Sequence, residues 1–144
     1  MKTIISLVLV LFVSIQAFAV QTALTVQELS ETPYLQSLTD ADETNGNSVA
    51  NPNGDVFMIF SNPGGNSATA TIVSPNLSYT LPGYGTVRKI SLEVSLAAGE
   101  IELVGPFQTR PWNNSSGQLI LAFTGAGSTS VALKAYRLSP TLRR

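Results

Sequence analysis

The chain of 144 residues reads as an all-β protein, an antiparallel β-sandwich or jelly-roll-like small barrel of about eight strands. Three observations predict this. After residue 20 no stretch keeps apolar residues at a 3.6-residue period for three turns, the spacing that one buried face of a helix requires. Short runs rich in Val, Ile, Thr, Phe and Tyr recur instead. Turn chemistry separates them about every 8–12 residues, as in antiparallel all-β folds. It falls at Asn53-Gly54, Pro63-Gly64-Gly65-Asn66, Pro82-Gly83, Ala98-Gly99, Gly105-Pro106, Ser116-Gly117 and Gly125-Ala126-Gly127.

Residues 1–19 form a unit of their own. Lys2 precedes an apolar run from Ile4 to Val13, and Ala17-Phe18-Ala19 supplies an A-x-A cleavage pattern. This is the layout of a secretory signal peptide cut after Ala19. The run is about half of the ~20 residues that a membrane-crossing helix needs, so no stable span is expected after cleavage. Residues 20–144 then make a single β-sandwich domain, long enough to bury a core.

Within it, strands are expected over 24–29, 56–61, 68–74, 77–81, 87–95, 100–104, 118–124 and 129–138. Alternation is clearest from Ile90 to Leu96, where Ile90, Leu92, Val94 and Leu96 share one face and Ser91, Glu93 and Ser95 the other. The last strand carries Val131, Leu133 and Ala135 on one side and Ala132, Lys134, Tyr136 and Leu138 on the other. Both of its sides should be covered in part. Residues 39–55 lack large apolar side chains except Val49, and read as a long, exposed, mobile polar loop.

The composition narrows function by what it lacks. Cysteine and histidine are absent. That excludes a disulfide, a structural zinc site, a Cys or Ser–His nucleophile pair and an imidazole switch. Charged residues make up 12% of the chain, against about 25% in ordinary soluble proteins. A non-enzymatic binding or structural module without a cofactor is expected. The formal charge is −1, and −2 once Lys2 leaves with the leader, too weak a field for nucleic acid. Its placement is uneven. Glu28, Glu31, Asp40, Asp42, Glu43 and Asp55 fall in a stretch with no base, whereas most basic residues lie from Arg88 onward. The two parts can attract one another between neighbouring copies, or simply lie solvated.

Several residue groups have the chemistry of candidate sites. Asp40, Asp42, Glu43, Thr44, Asn45 and Asn47 gather oxygen atoms of the kind calcium prefers. Counted as an EF-hand from Asp40, the run has Asn45 where Gly belongs and Asn51 where Glu belongs, so a plain polar loop is the expectation and no metal site is assigned. Glu100 and Glu102 share a strand face, but an exposed strand does not make the cleft that paired catalytic carboxylates need. The glycine-rich turns match no phosphate-binding loop. The segment Phe107, Arg110, Trp112, Asn113 and Asn114 is the candidate partner-binding group, since Trp and Arg anchor many contacts. Its competing reading is a loop pinned into the core mouth by Phe107 and Trp112.

The succession Asn53-Gly54-Asp55-Val56-Phe57-Met58-Ile59-Phe60-Ser61-Asn62, then Leu103-Val104-Gly105-Pro106-Phe107, then Asn113-Asn114-Ser115-Ser116-Gly117-Gln118-Leu119, resembles the small β-sandwich head decoration (cement) proteins of tailed bacteriophages. The resemblance spans roughly residues 22–138. It implies a virion-surface location, a homotrimer, and partners consisting of the major capsid protein and further copies of the chain. Capsid decoration takes place in the host cytoplasm, so an export leader points instead to a secreted or periplasmic module binding carbohydrate or a cell-surface partner.

Overall fold

The structure, a computed structural model, describes residues 20–29, 37–75, 78–81, 83, 85–88 and 90–139. The expected leader lies outside them, as does Leu77 at the start of one expected strand. The described residues form a sandwich of two mixed sheets.

The strands are β1 (Thr22–Leu24), β2 (Val26–Leu29), β3 (Thr39–Asp40), β4 (Asn47–Ala50), β5 (Val56–Ser61), β6 (Ala68–Val73), β7 (Ser78–Leu81) and β8 (Gly85–Arg88). After them come β9 (Leu92–Leu96), β10 (Ile101–Phe107), β11 (Gln118–Thr124) and β12 (Ala132–Leu138). One sheet runs β1-β4-β11-β6-β9 and the other β10-β5-β12-β2, with β3 also paired to β12. The hairpin β7-β8 forms a small sheet of its own. A short helix, α1 (Thr109–Trp112), and a 3-10 turn at Ser128–Ser130 interrupt the pattern.

Period-two alternation explains the core. Val56, Met58 and Phe60 of β5 face inward, as do Ala68, Ala70 and Ile72 of β6 and Leu119, Leu121 and Phe123 of β11. Leu133 and Ala135 of β12 complete the layer. The rings of Phe60 and Phe123 meet edge to face across the two sheets, centroids 6.5 Å apart. Ala70 stands opposite Phe123 across the β6–β11 pair, a small side chain beside a large ring. Burying each large apolar side chain contributes about 1.5–3 kcal/mol.

Four expectations are corrected. The expected strand over 24–29 starts earlier and is two strands: β1 pairs parallel with β4 in one sheet, and after Thr25 β2 pairs parallel with β12 in the other. One extended run serves both layers, which local alternation cannot reveal. The expected strand over 87–95 likewise separates into β8 and β9.

The expected mobile loop over 39–55 contains β3 and β4, and Asn47, Ser48, Val49 and Asn51 are buried. Its polarity is internal: the Asn47 side chain donates to Thr22 O and accepts from the Asp42 N–H. Gly46 makes the corner at φ +77°, and a Cβ there would stand 2.2 Å from Leu121 O.

Gly105-Pro106, expected as a turn, lies inside β10 at a register shift between Val104 and Phe107. A Cβ on Gly105 would come within 2.8 Å of Val56 O, so glycine lets the strand hug β5 through the bulge.

Candidate functional site

The segment after β10 is folded inward. Phe107 and Trp112 are buried and stack edge to face, centroids 5.4 Å apart. Asn51, itself fully buried, donates its side-chain amide to Phe107 O and to Asn113 Oδ1, both at 2.8 Å, and the Asn113 amide donates back to Asn51 O. Asn114 Oδ1 accepts from the Ser116 and Gln118 N–H groups and closes the turn into β11. Ser74 Oγ donates to Pro111 O. Of the five candidate contact residues, only Arg110 is exposed; the rings and amides of the others are engaged inside the fold.

The acidic stretch is also turned onto protein donors. Asp42 accepts from Thr22 Oγ1 at 2.6 Å and from the Asn45 and Thr44 N–H groups. The Thr22 hydroxyl first, and the Asn45 amide second, hold this carboxyl below the usual carboxylate range. The arrangement staples β1 to the corner before β4. Among the described residues no cluster of acids is set to hold a metal ion. Glu100 accepts from the Ala97 N–H across the β9–β10 turn, so it caps a turn and does not face Glu102 across a cleft. One N-terminal acid and one C-terminal base meet within the chain: Arg137 reaches Glu28 at 2.5 Å, in a partly exposed pair worth about 0.2–1 kcal/mol.

The remaining feature is the outer face of the second sheet. Outward positions alternate with the core positions, and the register aligns them across strands: Leu103 beside Ile59, Tyr136 beside Phe57, Leu138 beside Leu29. Leu29, Phe57, Ile59, Leu103, Tyr136 and Leu138 line a shallow groove of about 410 Å³. Ile101 extends it along β10. Ile101 and Leu103 are 67% and 64% exposed. Lys134 stands beside Ile59 on the same face.

None of these residues was singled out from sequence as a site. The signal was present in β5, where Val-Phe-Met-Ile-Phe is apolar without interruption. An uninterrupted run implies cover on both faces. Here one face is the core and the other meets solvent among the described residues. No protein-family model, no curated protein and no solved structure matches the chain.

Proposed function

We propose that the protein is a non-enzymatic structural module that works by docking, with the outer face of the second sheet as its contact surface. The observation that carries this reading is the apolar groove from Leu29 to Leu138, continued by Ile101 on β10. Monomeric soluble proteins rarely expose contiguous apolar surface beyond a few hundred Å², and larger patches mark interaction sites. The specific form of the reading is a head decoration protein on a tailed-phage virion, seated on the major capsid protein. On a lattice, many modest contacts add up to firm attachment. The sequence resemblance over residues 22–138 supports that setting.

Mass spectrometry of purified virions tests it. Recovery of the chain from particles is the expected result. Recovery only from periplasm or medium, in a form starting near Val20, overturns it in favour of a secreted module that meets a carbohydrate or cell-surface partner, with Arg110 among the exposed residues of its 107–116 loop.

A further inference from the structure

The four flanks of the two sheets differ in how they guard themselves against strand pairing. An edge strand presents a row of unpaired N–H and C=O groups, which proteins blunt with shortness, charge or proline. β1 is three residues long. β9 sets Glu93 outward and exposed. On the far flank of the second sheet, β2 carries Glu28, and β3 is two residues long and ends in Asp40. β10 is seven residues long; its Glu102 stands on the inward side opposite Phe60, Pro106 and the register shift lie beyond Val104, and on the solvent face of Ile101–Val104 only Ile101 and Leu103 project.

The direction of its backbone groups follows from the ladder. Asn62 N–H donates to Glu100 O at 2.9 Å, which fixes Glu100 opposite Asn62 as a hydrogen-bonded pair. Such pairs recur every second residue, so Glu102 and Val104 spend their backbone groups on Phe60 and Met58 of β5. Ile101 and Leu103 therefore turn their N–H and C=O groups to a flank that is open among the described residues. Past Val104 the register shifts, so this regular alternation is confined to Ile101–Val104, and Pro106 lies beyond it.

We infer that β10 pairs antiparallel with β10 of a second copy, about a two-fold axis at Leu103, and joins the two second sheets into one continuous sheet of both copies. This goes beyond docking on a shell and rests on the edge alone. In this register Leu103 exchanges two backbone hydrogen bonds with its counterpart, and Glu102 stands opposite Val104 of the other copy, so no like charges face each other. The outer side chains that meet are apolar on both sides. A second β10 in this register satisfies the backbone row, sets Leu103 beside its counterpart and keeps Glu102 away from Glu102. An isologous contact of this kind closes at two copies, unlike the trimer that the sequence resemblance implies. The apolar grooves of the two copies then lie on one surface, doubling the valency of any docking through them.

Sedimentation of the full chain at tens of micromolar tests the inference; a dimer is expected, and a monomer or a trimer overturns it. Leu103→Pro removes an N–H that faces only the open flank, and proline is tolerated on edge strands. It should weaken the dimer by roughly 100-fold, about the loss of two hydrogen bonds with part of the apolar contact. Leu103→Thr keeps the N–H and should weaken it by only roughly 10-fold. Equal weakening by both overturns the backbone pairing. Since the chain has no cysteine, Leu103→Cys gives a readout that survives a misfolded proline variant. Oxidation should link it into a covalent dimer while Thr124→Cys stays monomeric, and no link at position 103 overturns the register. Capsid attachment by a monomer would sink this pairing and leave the docking reading standing.

Discussion

On β6 the outward positions are Thr69, Thr71 and Val73; on β5, its counterpart in the other sheet, they are Phe57, Ile59 and Ser61. Both strands alternate buried and half-buried residues in the same pattern, and both send three side chains into one shared core. The neighbours deepen the contrast. β6 lies beside β9, with Glu93 and Ser95 outward, whereas β5 lies beside β10, with Ile101 and Leu103 outward. Inner faces are thus held to one rule by burial, while outer faces are free to diverge with use. A Thr/Ser/Glu face suits water, whereas an Ile/Leu/Phe face leaves apolar surface against it.

The largest expected effect lies where the two sheets are alike. Phe60→Ala removes the ring that meets Phe123 between them and should cost about 3–5 kcal/mol in urea unfolding. A loss under about 1 kcal/mol would mean that the sheets do not share a packed core. Next comes the polar clip at one end of the sandwich. Asn51→Ala leaves Phe107 O, Asn113 Oδ1 and the Val56 N–H without their partner, and should cost at least about 1–3 kcal/mol, whereas Asn53→Ala in the adjacent exposed turn should change little.

The contrast itself is probed by Ile59→Thr, which keeps a β-branched residue and makes the second outer face resemble the first. Stability should shift by less than about 1 kcal/mol, while binding of a hydrophobic dye falls. A loss as large as that of Phe60→Ala would show that Ile59 is covered within the monomer and would erase the difference between the faces.

The smallest effect concerns the Asp42 staple. Its folded pKa lies below its ordinary value of 3.8, so the stabilisation it provides is present above that pH and fades as pH falls through the folded value. Asp42→Asn should flatten that part of the acid limb in a pH series of melting temperatures; an unchanged limb would remove Asp42 from the account.

Strands β5, β11 and most of β6 and β12 were legible because their alternation is local and strong. Asn47, Asn51 and Asn62 were not. Asparagine beside glycine or proline reads as exposed turn chemistry, yet all three are fully buried. The Asn62 side chain donates to Asn66 O, Leu96 O and Ala97 O, which lie up to 35 residues away. No local pattern encodes such distant acceptors. In the 107–114 segment the sequence leaves two directions open, a contact group or a loop pinned into the core mouth, and the packing of buried Trp112 on Phe107 selects the second; the apolar surface that stays outside is assembled from β2, β5, β10 and β12.

The sequence by itself determined the all-β class, the inward residues of the strong strands and the absence of thiol and imidazole chemistry, because side-chain period and residue inventory are properties of the chain alone. Only the tertiary structure decided which sheet each strand joins, why one extended run is shared between two layers, and which polar groups go inside. It also decided which of two alternating faces stays open. Those outcomes depend on pairings between residues far apart in the chain, where hydrogen bonds and burial are satisfied together or not at all.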